Sequence, residues 1–388
     1  MRIVQISPYD LSRHGGVQQH VLSLAAELRR RGHKLLVIGP GRGVEQGTDI
    51  LSLGATRKVS VLGTSFELTL ATEEELRELD VRLAAFRPDV MHYHTIWVPL
   101  LPWQIFRRSS VPAVATFHDT PPPGVSGMIL RSLFKLLSGA VLNRLEGAIA
   151  VSPAPMGHLR PGRHGCRPVI LPPVTDLGDL LTLAKPRTPL RKTVLFFGRL
   201  EPRKGIAVLL RAWDLLATGL VPLPRGVVLP RLVVAGSGEL EPLVRAAQQN
   251  LGEANLSHVP APDRAGLRAL LAEAHLAVAP ALYGESFGIV LAEALASGTP
   301  VIAAANAGYV NVLTGPGEAL LVPPGDAEAL ARRISSLLGD GTLHAALSDW
   351  GRAHAGQFDV AAMAPAFEAV YSAALASRRS KLEGSGSR

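Results

Sequence analysis

Gly284-Glu285-Ser286-Phe287-Gly288-Ile289-Val290-Leu291-Ala292-Glu293-Ala294-Leu295-Ala296-Ser297-Gly298-Thr299-Pro300 follows a short apolar run, Leu276 to Pro280. That run reads as a buried strand. From Phe287 onward, Phe287, Val290, Leu291, Ala294 and Leu295 fall at helical spacing on one face. Ser286 stands where an N-cap is expected, and Gly298 with Pro300 supplies the stop. A strand, a loop and a helix in this order form the repeating unit of a parallel α/β sheet. Glu285 then lies in the loop, and Glu293 projects from the second helical turn, off the apolar stripe.

A helix start offers free amides and the positive end of the dipole, which suits a diphosphate. Glu293 would lie roughly 9 Å further along the axis, at 1.5 Å per residue, within reach of a ribose. Glu285, beyond the phosphates, would meet whatever hangs on their far side. By themselves the two glutamates read equally well as solvated charges on an amphipathic core helix, so the decision rests with the remaining chain.

With 388 residues, 47% apolar and 19% charged, the chain has the length for two or three domains and a globular balance. Its single cysteine, Cys166, excludes an intramolecular disulfide. Met1 to Pro8 reads as a first strand, not a signal peptide, and no uncharged apolar run approaches the ~18 residues of a membrane span. The net charge of +8 favours anionic partners: nucleotides, phospholipid surfaces or nucleic acid.

Alternation extends in both directions. Arg2 to Ser7 reads as a strand, Gly15-Gly16-Val17 opens a helix to about Arg31, and Lys34 to Ile38 is the next strand. Glu73 to Phe86 is helical, Val90 to His94 and Pro112 to Phe117 are strands, Met128 to Leu145 is a basic amphipathic segment, and Ala148 to Val151 is a strand. Prolines cluster between Leu171 and Lys192, which marks a linker. A second alternation starts at Thr193. The expected division is a domain over 1–175, a linker over 176–191, a domain over 192–360, a helix over 361–376 and a disordered polar tail over 377–388.

Gly198-Arg199-Leu200-Glu201-Pro202-Arg203-Lys204-Gly205 joins the second domain's first strand to its helix. Ligands of open α/β sheets bind at the carboxyl ends of strands, so Arg199 and Lys204 stand where two cations could neutralise a diphosphate without a metal. No Asp-x-Asp pair, zinc-like spacing of Cys and His, P-loop or nucleophile elbow occurs, which counts against a hydrolase or ATPase. His92 and His94 alternate on a strand and read as core histidines. His118, at a strand end before Asp119, is the better site candidate. Residues 128–170 hold six Lys or Arg against one acid, as in a surface helix or a membrane-interface face.

Gly15-Gly16-Val17, Phe117-His118-Asp119, Arg199 through Lys204-Gly205, the Glu285/Glu293 pair and Leu321-Val322-Pro323-Pro324-Gly325-Asp326 together resemble the family-4 retaining glycosyltransferases. The similarity spans roughly residues 1–375. It implies an α/β, GT-B architecture: two Rossmann-like doubly wound domains facing across a cleft, with a final helix crossing back to the first. By the same resemblance Arg199 and Lys204 hold the diphosphate, Glu293 the ribose and Glu285 the donor sugar, while Gly16 and His118 lie near the reacting centre. Ser286, Phe287, Gly288 and Ile289 complete the donor site. The implied donor is a nucleotide diphosphate sugar carrying a hexose of the mannose or glucose type. The acceptor is a hydroxyl, on a lipid or a glycan, with no cofactor, no metal and no nucleic acid. The expected place is the cytoplasm, or the inner face of the membrane for a lipid acceptor. Two departures stand out. Leu171-Pro172-Pro173-Val174-Thr175-Asp176 replaces the usual Pro-Asn-Gly-Val-Asp, and residues 73–80 are acid-rich where a lipid-directed member has a basic helix. A nucleotide-sugar epimerase and a catalytically silent binding protein are the competing readings. A nicotinamide oxidoreductase is weaker, for want of the G-x-G-x-x-G turn.

Overall fold

The computed structural model describes residues 1–385 apart from 14, 42–48, 62–63, 97–99, 121–123, 161–164 and 185–190. The chain forms two compact units, Met1–Thr175 with Val360–Arg388, and Asp176–Asp359.

In the first unit, seven parallel strands lie in the order Ile50–Leu53, Lys34–Pro40, Arg2–Ile6, Val90–His94, Ala113–Phe117, Gly147–Ala150 and Val169–Ile170. The strand order reverses between Arg2–Ile6 and Val90–His94. In the second unit, six parallel strands run Leu256–Val259, Arg231–Ala235, Thr193–Phe197, Leu276–Ala279, Val301–Ala304 and Leu321–Val322. Here the reversal falls between Thr193–Phe197 and Leu276–Ala279. Each is a doubly wound sheet, whose ligand crevice lies outside the carboxyl ends of the strands at that reversal. An antiparallel ribbon, Ala55–Val61 with Thr64–Leu70, stands apart from the larger sheet of the first unit. The sequence pattern, read for parallel units alone, leaves it out.

Central strands are buried along their whole length because helices cover both faces of a parallel sheet. All five residues of Val90–His94 and of Ala113–Phe117 are buried. The helix Gly16–Arg30 packs Val21, Leu24, Ala25 and Leu28 inward. Glu73–Phe86 begins at a capping box, with Glu75 N–H donating to Thr72 Oγ1 at 3.2 Å and Thr72 N–H to Glu75 Oε2 at 2.6 Å.

Three sequence expectations are corrected. The helix of the decisive stretch spans Ile289–Ala296 with Gly288, not Ser286, at its cap. Phe287 is buried in the loop that leads into it. The expected linker is partly core: Leu177, Leu180 and Leu183 are buried in the second unit, around the short helix Gly178–Leu181. The expected disordered tail is helical as far as Ser385, because it continues the helix Val360–Ser385.

By length and composition that last helix could cross a membrane. Its Ala364, Phe367, Tyr371 and Ala374 are instead fully buried, among Ile3, Leu24, Val114 and other core residues of the first unit. Glu368 pins it further, accepting from Arg31 Nε at 2.8 Å and Nη2 at 2.9 Å and pairing with His33 Nε2 at 2.8 Å. The hydrogen bond from Arg31 is the main cause that holds the Glu368 carboxyl at about 2; burial opposes it and His33 assists. A depressed acid contributes stability that is present above its unfolded value, near 4.3, and is lost as pH falls through the folded one. Glu368→Gln should therefore lower the urea midpoint at neutral pH. The gap from the parent should close as pH falls from about 4.5 towards 2. A gap that persists undiminished in acid would show that the carboxylate is not what anchors this helix.

Candidate active site

The reversal of the second sheet brings two loops together at the carboxyl ends of its central strands. One runs from Gly198 to Gly205, after Thr193–Phe197, and the other from Pro280 to Gly288, after Leu276–Ala279. The first closes in a tight turn, Pro202–Lys204, and Gly205 adopts φ +75°. A Cβ on Gly205 would lie 2.0 Å from the Pro280 carbonyl oxygen, so only glycine lets the loops meet. Leu282 N–H then donates to Arg203 O at 2.8 Å and ties one loop to the other.

Charges converge where the loops meet. Glu285 Oε1 accepts from Lys204 Nζ at 2.7 Å and from Arg203 Nη1 at 2.8 Å. Arg203 also bonds Glu201 Oε2 at 2.8 Å. Burial pulls the Lys204 ammonium below the usual lysine range, against the opposing pull of Glu285. Arg199 is more open, 58% exposed, and pairs with Glu201 Oε1 at 2.7 Å. Gly308 and Tyr309 pack under this segment. A Cβ on Gly308 would lie 2.5 Å from Glu285 O, and one on Gly288, at φ +119°, 2.6 Å from the Tyr309 ring.

Glu293 does not project into solvent as its place off the apolar stripe suggests. It is buried, with Oε1 3.2 Å from Arg264 Nη1. Arg264 opens the helix Arg264–Glu273, capped by Asp263, whose Oδ1 accepts from Gly266 N–H at 2.7 Å. It also bonds both carboxylate oxygens of Asp179. Sequence reasoning missed Arg203 and Arg264. Arg203 sits inside the quoted loop, whereas nothing near Arg264 in sequence points to a glutamate 29 residues later.

In the first unit, Gly16 is the first residue of its helix, and His118 follows the strand Ala113–Phe117. His20, His92 and His94 are fully buried. His94 Nδ1 and His118 Nε2 share a hydrogen bond of 3.2 Å, and His20 Nδ1 accepts from Val174 N–H at 2.9 Å. His92 is structural, bonded to Tyr371 Oη at 2.8 Å and Thr116 Oγ1 at 2.7 Å. Burial is the main cause that lowers His20 to about 4 and His92 to about 3, and it drives His94 and His118 far below the ordinary histidine value. Four neutral imidazoles thus share one end of the sheet. Ring nitrogens of His20, His94 and His118 lie within 4.8 Å of one another, a set that could hold an ion among the described residues. Sequence spacing showed no such set because the three residues come from different elements. The His94–His118 bond already uses the nitrogens that these two turn towards each other.

Two family models match, one described as Glycosyltransferase Family 4 over residues 14–178 and one as Glycosyl transferases group 1 over 184–354. Phosphatidyl-myo-inositol mannosyltransferase of Mycobacterium leprae is 33% identical over 346 residues, 87% of each chain. That of Mycolicibacterium smegmatis is 30% identical, covering 89% of this chain and 86% of the relative. The chain belongs to the family-4 glycosyltransferases. Among solved structures, sucrose-phosphate synthase of Thermosynechococcus elongatus is similar at TM-score 0.73 and 24% identity, over 97% of this chain and 99% of that one. The Anabaena HepE protein in complex with UDP and glucose is similar at TM-score 0.72 and 19% identity, over 96% and 99%. The fold is GT-B, and this glycosyltransferase moves a glycosyl group from a nucleotide sugar.

In this transferase Arg264 pairs with the buried carboxyl group of Glu293. Arg264→Ala should destabilise by about 1–3 kcal/mol, the usual cost of removing one hydrogen-bond partner of a buried polar group. Adding Glu293→Gln should recover part of that loss, since the amide carries no charge to desolvate. Chemical denaturation of both singles and the double gives the coupling, and purely additive effects would remove the assigned pairing.

Proposed function

We propose that the enzyme transfers a hexose of the mannose or glucose type, with retention and without a divalent metal, from a nucleotide diphosphate sugar to a hydroxyl acceptor on a lipid or glycan. The observation that carries this reading is the Lys204–Glu285–Arg203 cluster at the reversal of the second sheet, beside the start of the helix Ile289–Ala296. A largely buried ammonium needs an anion. Without a ligand the anion is Glu285, and a donor diphosphate entering between Lys204, Arg199 and the helix amides would take its place. Glu285, released from Lys204, would then meet the hexose hydroxyls, while Glu293 accepts from the ribose.

Oxocarbenium character grows at the sugar as its bond to phosphate stretches, so a carboxylate beside it acts chiefly in the transition state. A carboxylate held by two cations is a poor nucleophile. This favours same-face attack, in which the leaving phosphate takes the acceptor's proton, over a double displacement at Glu285. Gly16 and His118 are assigned to the reacting centre by the family resemblance. The name of the mannosyltransferase relatives supports a phosphoinositide-type lipid acceptor, and with it peripheral association at the cytoplasmic face of a membrane. Those relatives are named transferases, which leaves the epimerase and silent-binder readings without support.

A panel of GDP-, UDP- and ADP-sugars read by thermal shift identifies the donor, since a ligand at a hundredfold over its Kd adds about 2.7 kcal/mol. With that donor, transfer should continue in a chelator. Lys204→Ala should lower kcat/KM on the order of 10²–10³-fold, as for other lost charge stabilisers. Activity abolished by chelation and restored by Mg²⁺ or Mn²⁺ would overturn the metal-free reading. A near-normal Lys204→Ala would move the phosphate site elsewhere.

The two glutamates separate by role. Glu293→Gln should chiefly raise the donor KM, because ribose does not react, while Glu285→Gln should lower kcat more than it raises KM. Steady-state kinetics on both variants decides. The reverse pattern would mean that the diphosphate does not lie on this helix.

A further inference from the structure

The helix Val125–Leu142 is apolar on two opposite faces and contains no acid. One face belongs to the core of the first unit: Phe134, Ser138, Val141 and Leu142 are buried. The opposite face is open. Leu136 is 78% exposed, Met128 61% and Ile129 59%, with Leu133 and Leu137 also exposed. At about 100° per residue, these five side chains cover roughly half of the helix circumference over a length of ~14 Å. They are also five of the fourteen exposed large apolar side chains among the described residues, so the concentration on one helix is not ordinary surface scatter.

Cations flank the stripe. Arg131 and Lys135 are exposed along one border, close enough to His158 that, after burial, they are the next causes lowering it to about 4. Arg160, also exposed, is held against the same helix by its N–H, which donates to Ser138 Oγ at 3.0 Å. The nearest acid in the sequence, Glu146, is turned inward and accepts from Ala113 N–H at 2.9 Å. A second copy of the chain is a poor partner for this face, since a two-fold pairing would bring the same cations together.

We propose that the open face of the helix Val125–Leu142 docks onto an anionic phospholipid surface. Met128, Ile129, Leu133, Leu136 and Leu137 enter the headgroup–acyl boundary, and Arg131, Lys135 and Arg160 meet lipid phosphates. The docking deepens the lipid-acceptor reading and rests on it for its purpose. The expectation for this segment changes in kind: a basic amphipathic face would leave the surface in salt, whereas an inserted aliphatic stripe leaves it only in part.

Co-sedimentation of the full chain with vesicles tests this without donor or acceptor, so its outcome is separate from that of the transfer assays. Vesicles of phosphatidylcholine alone are compared with vesicles containing about a third phosphatidylglycerol. Each is run at about 0.1 M and about 1 M NaCl, between which the screening length falls from ~10 to ~3 Å. Wild type should pellet with the anionic vesicles and retain part of its binding at high salt. Leu136→Glu should lower the partition coefficient at least tenfold while leaving thermal stability and donor-induced stabilisation unchanged. Arg131→Gln with Lys135→Gln should lose several-fold, and only at low salt. In a Cys166→Ser background, Leu136→Cys carrying an environment-sensitive fluorophore should shift to the blue on the same vesicles. Absence of wild-type binding to either vesicle, undiminished binding by Leu136→Glu, or a fluorophore that stays in water would overturn the proposal. So would a wild-type dimer that Leu136→Glu converts to monomer with vesicle binding unchanged.

Discussion

A parallel strand covered on both faces by helices has no room for an unpaired charge along its length, so polar chemistry moves to its ends. Both sheets obey this constraint. Thr193–Phe197 after its first residue, Leu276–Ala279 and Val301–Ala304 are apolar throughout, and Lys204, Glu285 and Arg203 appear only in the loops beyond the first two. Where the strand order reverses, adjacent loops turn to opposite sides and leave a crevice. Val90–His94 looks like an exception, with two histidines inside a buried strand. It conforms because both rings are held neutral and each has a hydrogen-bond partner: Tyr371 and Thr116 for His92, His118 for His94.

The crevice of the second unit is built from close approaches as much as from charges. Gly205 against Pro280, Gly288 against Tyr309 and Gly308 against Glu285 bring backbone to backbone or ring at distances that exclude a Cβ. The loops are thereby set before any ligand arrives, and Lys204 and Glu285 meet as neighbours instead of as mobile surface charges. An internal ion pair at a phosphate-binding loop has a simple consequence. The ammonium is already partly desolvated, so a diphosphate replaces one anion by another and need not strip a full hydration shell.

The first unit depends on the two ends of the chain coming together. Tyr371 reaches His92, Glu368 reaches Arg31 and His33, and Phe367 lies beside His20 with ring centroids 5.6 Å apart. The last helix therefore supports the imidazole cluster as well as filling the core. Its apolar length is the signature of packing within this unit. Among the described residues, most of the unit's exposed large apolar side chains lie elsewhere, on the helix Val125–Leu142.

Local order along the chain was legible because it follows from periodicity. The helix Glu73–Phe86, the strand Val90–His94 and the alternation of both units are properties of neighbouring residues. The family and the loop carrying Arg199 and Lys204 were likewise readable, since their residues stand together in sequence. At one glycine the local signal misleads: Gly288, free to take φ +119°, displaces Ser286 as the helix cap. The tail 377–385 reads as disordered by composition, yet it continues a helix anchored by buried Phe367 and Tyr371. Pairings between distant residues had no local sign. Arg264 with Glu293, Arg203 with Glu285 and the meeting of His20, His94 and His118 all depend on which strand lies beside which. The sequence by itself determined the elements, the family and the candidate loops, because backbone propensity and side-chain period act over a few residues. Only the tertiary structure decided which charges are buried together and which apolar face stays open, because desolvation depends on every element packed around a group.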